Sequence, residues 1–162
     1  MKTEALPTQA ATVAVIGAGF SGALTALHLL SRDPHVTVRL VEQGDRFGPG
    51  RAYAAANAAH VLNVRAANMS AFPDDPGHFA DWLAQAGETA GGDAFASRGR
   101  YGEYLQSLLR EALSKEGHPG RLLLEHDEAV AAEPHGAGWR VQMAMGRSLE
   151  VDAVVLALGL GP

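Results

Sequence analysis

The 162-residue chain contains no cysteine. That excludes disulfides, thiolate metal sites and any redox-active dithiol. The chain also lacks an excess of positive charge. Its 13 Lys and Arg stand against 18 Asp and Glu, for a formal net charge of −5. Nucleic acid, which needs a basic footprint, is therefore not an expected partner. Residues 10–30 contain no Asp, Glu, Lys or Arg at all. A run of that length matches a membrane span, but three glycines interrupt it and a short β-rich run precedes them. It reads as strand, turn and helix, so no membrane association is expected. No basic segment with a small-residue cleavage site frames a signal peptide, and a cytoplasmic location is expected. Seven histidines are scattered without H-E-x-x-H spacing, so no metal is expected. There is no G-x-S-x-G elbow and no internal repeat.

What is present is a soluble, core-forming composition, with 47% hydrophobic and 19% charged residues. Residues 1–11 read as a flexible leader and residues 12–162 as one domain. Thr12–Ile16 is a short apolar run suited to a buried parallel strand. Gly17-Ala-Gly-Phe-Ser-Gly22 breaks it, and Ala23, Leu24, Ala26, Leu27 and Leu30 then recur at helical spacing until Pro34. Val36–Val41 is a second strand, closed by Glu42. This βαβ order implies a parallel sheet with a right-handed crossover.

Residues 43–50 form a loop, and 51–69 carry no clear period and are expected to wrap over something. Asp75-Pro76 predicts the cap and first turn of a helix whose apolar face is Phe79, Trp82, Leu83 and Ala86. Residues 87–97 read as a flexible loop. Ser97 caps a longer helix with Tyr101, Tyr104, Leu105, Leu108, Leu109, Ala112 and Leu113 on one face. Residues 121–125 and 129–133 predict successive strands or one bent strand. Residues 139–144 and 148–151 predict a hairpin. The run 153–158 predicts a strand buried on both faces.

The six-residue turn fits G-x-G-x-x-G between a strand and a helix. Gly17 allows the tight turn, Gly19 lets a pyrophosphate approach the backbone, and Gly22 allows close helix packing. With Phe20 and Ser21 they place the N–H groups and positive dipole end of a helix beside the phosphates. Glu42 lies 25 residues after Gly17, at the end of the next strand. A carboxylate there accepts hydrogen bonds from both ribose hydroxyls and repels a 2′-phosphate.

The same residues, with Ala26 and Leu29, resemble the FAD-binding opening of the two-dinucleotide-binding flavoproteins, a group that includes the glutathione-reductase type and the flavin monooxygenases. In that group a helix, a meander of short strands and a buried strand ending in Ala-Thr-Gly follow. Here Ala157-Leu158-Gly159 stands in that place, with Leu for Thr. Gly50-Arg-Ala-Tyr53, the block from His60 to Ser70 and Phe72-Pro-Asp-Asp-Pro76 resemble a little-characterised bacterial family of FAD/NAD(P)-binding proteins, from Val13 to Gly161.

The resemblance implies a Rossmann-like parallel sheet with a β-meander, an incomplete copy of the FAD/NAD(P)-binding type, forming the N-terminal part of a larger flavoprotein. It implies FAD as cofactor and NAD(P)H as co-substrate. It places Glu42 on the adenosine ribose, Gln43 and Arg51 near adenine and pyrophosphate, the backbone of Val130 on adenine, and Ala157 and Gly159 at the strand end. The missing remainder of the flavoprotein, or a second chain, is the implied partner.

No catalytic acid or base stands out, and flavin chemistry does not require one. Tyr53, His60, Asn63, Arg65 and Asn68 are the candidates to cover a flavin ring. An FAD-dependent oxidoreductase, or a fragment of one, leads. An NAD-dependent dehydrogenase domain and a non-catalytic dinucleotide-binding module are the alternatives. Neither Tyr101 nor Tyr104 is followed by Lys at the fourth position, against a short-chain dehydrogenase.

Overall fold

The computed structural model describes residues 10–54, 59–88, 92–114 and 117–159. The expected leader lies outside the described residues up to residue 9. Strand β1 (Thr12–Ile16), helix α1 (Phe20–Arg32) and strand β2 (Thr37–Glu42) form the βαβ unit that the hydrophobic pattern requires. Strands β3 (Leu122–His126) and β7 (Ala153–Leu156) complete a four-stranded parallel sheet in the order β3-β2-β1-β7.

Alternation along the central strands divides the core in two. Val13, Val15, Val38 and Leu40 face α1 and helix α4 (Arg98–Leu113). Ala14, Ile16 and Val41 face the opposite side. There they meet Val141, Met143, Leu149 and Val151 of a three-stranded antiparallel meander, β4 (Ala129–His135), β5 (Gly138–Met143) and β6 (Ser148–Val151). Covering both faces explains why β1 reads as a continuous apolar run after Thr12.

Helix α1 buries its small-residue stripe of Gly22, Ala23 and Ala26, with Leu27 and Leu30 beyond it. The Arg121 guanidinium closes the helix end by donating to the carbonyls of Leu30, Asp33 and Val36 at 3.2, 2.8 and 3.3 Å. Ser97 caps α4 by accepting from the Arg100 N–H at 3.2 Å. Tyr101 and Tyr104 on α4 pack against Phe79 of helix α3 (His78–Gln85), and these are the three largest fully buried side chains among the described residues.

Four expectations need correction. Asp75-Pro76 is not the first turn of α3, which starts at His78 with Gly77 as N-cap. The Ser70 hydroxyl lies 2.6 Å from the Asp75 carbonyl oxygen, which also accepts from the His78 N–H, so the pair belongs to a separate turn. Ala86 is exposed beyond the end of α3. Leu113 is exposed because it is the last residue of α4. Strand β7 is not buried on both faces: it ends at Leu156, which is 68% exposed, and among the described residues it forms an edge of the sheet beside β1. Residues 121–125 and 129–133 are two strands in different sheets, which settles that alternative.

Candidate functional site

The glycine turn fits between the ends of three strands. The Gly17 N–H donates to the Val41 carbonyl at 2.9 Å, and the Ala157 N–H donates to that of Ile16 at 2.8 Å. Gly17 has φ +96°, and a Cβ there would lie 2.4 Å from the Ala157 carbonyl oxygen. A Cβ on Gly22 would lie 1.8 Å from the Gly17 carbonyl oxygen. Both positions therefore demand glycine for the fold itself.

Gly19 differs. It is the N-cap of α1, with extended backbone at φ −70° and ψ −169°. A Cβ there would meet only Gly50 within ordinary contact range, its Cα at 3.4 Å. Gly50 opens the short helix α2 (Gly50–Tyr53), and the Gly48 N–H donates to the Ala18 carbonyl at 2.7 Å. The loop after β2 is thus seated on the glycine turn, a contact the motif alone does not signal. The first intrahelical bond of α1 runs from the Ala23 N–H to the Gly19 carbonyl at 2.9 Å. The N–H groups of Phe20, Ser21 and Gly22 precede it and present the donor end of the helix.

Glu42 joins this turn to the following loop. Its Oε2 accepts from the Ala18 N–H and its Oε1 from the Gly44 N–H, both at 2.9 Å. An ionised carboxylate has about four acceptor positions, so each oxygen retains one for a further donor. Two hydroxyls on adjacent carbons match that arrangement. A 2′-phosphate beside the same oxygens meets like charge.

The other predicted residues fall into separate groups. Val130 is the extra residue of a β-bulge, because Ala129 pairs with Met143 and Ala131 with Gln142. It lies outside the ladder register and is 57% exposed, an arrangement bulges commonly produce beside binding sites. Gln43 and Arg51 are exposed, and the Arg51 guanidinium makes no ion pair among the described residues. The Phe20 ring turns inward against Tyr53 and Tyr101, at centroid distances of 5.6 and 6.0 Å. Ser21 is exposed. Ala157 is half-buried beside Gly17, whereas Gly159 is exposed with φ +72°.

The candidates for covering a ring are dispersed. Tyr53 packs on Phe20 and Tyr101, and Arg65 pairs with Asp93 at 3.0 Å. The stretch from His60 to Ala67 pairs through its backbone with residues 92–98: Leu62 donates to Ala96, Ala66 to Ala94 and Arg98 to His60. Asn63 and Asn68 are exposed. A cavity of about 310 Å³ lies between α2 and α4, and the loop after β2 reaches it through Arg46 and Pro49. The glycine turn and Glu42 instead lie at the carboxyl ends of β1 and β2, the shelf where open α/β sheets bind ligands, and the Asp127 N–H, donating to the Glu42 carbonyl at 3.1 Å, brings the start of the meander to the same end.

A parallel sheet with a glycine turn, an acid-tipped second strand and an antiparallel meander on its back defines a dinucleotide-binding flavoprotein domain. The model of the FAD-NAD(P)-binding family matches residues 14–161, and the chain belongs to that family. It is an FAD-NAD(P)-binding domain. The chain is similar to an L-aspartate N-monooxygenase (nitrosuccinate-forming) of Streptomyces davaonensis, 27% identical over 196 residues of alignment. That alignment takes in 95% of this chain but 30% of the relative's length.

Among solved structures, S-allyl-L-cysteine S-oxygenase from Allium sativum superposes with a TM-score of 0.61 at 24% identity, over 90% of this chain and 36% of that one. A flavin-containing monooxygenase from Stenotrophomonas maltophilia gives 0.61 at 21% identity, over 96% of this chain and 42% of that one. These two establish the fold. No described helix is long and apolar enough to cross a membrane.

Proposed function

We propose that this chain is the FAD-binding part of an NAD(P)H-reduced monooxygenase, with the adenosine half of the cofactor held between Glu42 and Val130. The observation that carries this reading is the Glu42 carboxylate, fixed by two backbone N–H groups and left with one acceptor position on each oxygen. The glycine turn and the first N–H groups of α1 receive the pyrophosphate, and Arg51 supplies a counter-charge. Gln43 lies over the adenine side, and the backbone of the Val130 bulge meets the adenine edge. Ala157 and Gly159 line the far end of the shelf.

The glycines and N–H donors suit a dinucleotide, because Gly19 presents no side chain and Glu42 has no cationic partner among the described residues. When bound, FAD supplies the redox chemistry, and the residues of this chain bind and orient it. The likeness to L-aspartate N-monooxygenase supports oxygen transfer to an amine nitrogen as the reaction. We assign residues 12–162 to the N-terminal part of a larger flavoprotein, completed by further sequence or by a second chain, and place it in the cytoplasm.

Calorimetric titration of the purified chain with FAD and NAD tests the binding reading. Saturable FAD binding in preference to NAD is expected, and preference for NAD overturns it. NADPH oxidation by the completed flavoprotein, with and without small primary amines, tests the reaction class. Amine-independent turnover with no hydroxylated product would refute it.

A further inference from the structure

Asp127 is 5% exposed, and its Oδ2 is buried without a hydrogen-bond partner. Leaving a carboxylate oxygen buried and unpaired is costly, so its retention needs a reason. The nearest cation is Arg147, whose Nη2 lies 3.6 Å away. Arg147 Nη1 donates to Glu125 Oε2 at 3.1 Å, and the other Glu125 oxygen pairs with Arg39 of β2. The result is a charge-balanced chain, Arg39–Glu125–Arg147–Asp127, running from the parallel sheet into the β5–β6 turn.

The backbone bonds of Asp127 show what this chain holds. The Asp127 N–H donates to the carbonyl of Glu42 at 3.1 Å. Oδ1 accepts from the N–H groups of Glu128 and Met145, at 2.8 and 3.2 Å. The Glu128 carbonyl accepts from the Ala144 N–H at 2.8 Å. One residue therefore ties together the backbone of Glu42, the tip of the meander and the strap that leads into the Val130 bulge.

We infer that Asp127 is a positioning residue for the adenosine end of the site: it fixes the height of the Val130 bulge relative to Glu42, with Arg147 as its electrostatic anchor. This inference rests on the reading that adenosine lies between Glu42 and Val130. A carboxylate is required because Oδ1 must take two N–H groups while Oδ2 faces a guanidinium. An amide can do the first but sets its own donor against Arg147 in place of Oδ2.

The test is binding of ADP and FAD to the 162-residue chain and its D127N, R147Q and D127N/R147Q variants. It is read at a temperature where circular dichroism shows each variant folded. D127N is expected to bind both nucleotides about tenfold more weakly, the loss of about one well-made charge-assisted contact. R147Q is expected to weaken both in the same direction, and the double variant to be no weaker than D127N, because the two residues act as a unit. Should D127N fail to fold, R147Q, whose side chain is half exposed, carries the test alone.

Variants that lose thermal stability but bind ADP and FAD like the wild type overturn the inference while leaving the site reading intact. A wild-type chain that binds neither nucleotide removes the site reading and the inference together.

Discussion

Gly19→Ala separates the cofactor's needs from those of the fold. At Gly22 an added Cβ would lie 1.8 Å from the Gly17 carbonyl oxygen, and at Gly17 it would lie 2.4 Å from that of Ala157 at φ +96°. Overpacking and backbone strain of that kind cost about 1–3 kcal/mol each. For a chain of this size, 3 kcal/mol lowers Tm by about 6–12 °C. Gly19 has φ −70°, which any residue adopts, and its nearest neighbour would lie 3.4 Å from the new methyl.

The cost at Gly19 is therefore that of Gly to Ala at an N-cap, below about 1 kcal/mol, with a Tm change under about 4 °C. FAD binding should suffer far more, because the methyl occupies the surface a pyrophosphate must approach. Displacing the phosphates should weaken binding at least ~100-fold, equivalent to about 2.7 kcal/mol. Differential scanning calorimetry paired with FAD titration reads both quantities. A Gly19→Ala protein that binds FAD within threefold of wild type, with Tm preserved, would refute the role given to this turn.

Other consequences are equally open to measurement. Glu42→Gln leaves one of two N–H groups, Ala18 or Gly44, facing an amide donor. It should cost about 1–3 kcal/mol by denaturant unfolding and weaken FAD binding at least tenfold. Arg121→Ala removes three bonds to carbonyls at the end of α1 and should destabilise by about 3 kcal/mol with unchanged FAD affinity in the folded protein. Burial, reinforced by Tyr104 and Tyr53, pushes the Tyr101 hydroxyl above its ordinary pKa, and burial does the same to Tyr104. Because the folded values lie above the unfolded one of about 10, the stability they contribute is complete below that pH and declines above it. Absorbance at 295 nm should therefore show these two phenolates only as the protein unfolds.

Much of this architecture is written locally in the chain. The βαβ unit, the cap at Ser97 and the hairpin around Met145-Gly-Arg147 follow from periodicity and turn chemistry, which act over a few residues. What local pattern does not contain is long-range pairing. An apolar run such as 153–158 looks the same in the middle of a sheet and at its edge, and Leu156 shows that it is an edge strand here.

The site divides the same way. Gly17, Gly22 and Glu42 are legible because each has a fixed spacing and a fixed chemistry. The seating of Gly50 on Gly19 and the Asp127 hub depend on residues tens of positions apart in the chain, and no spacing rule marks them. Asp75-Pro76 is a valid helix-start signal in isolation, overridden here by the Ser70 hydroxyl.

The central claim is that this shelf holds the adenosine half of FAD. Titration of FAD into the purified chain, followed by flavin visible absorption and circular dichroism, tests it most directly. A saturable 1:1 change that Glu42→Gln and Gly19→Ala both suppress is the predicted result. No flavin signal at millimolar FAD, or a signal that neither substitution alters, would contradict the account.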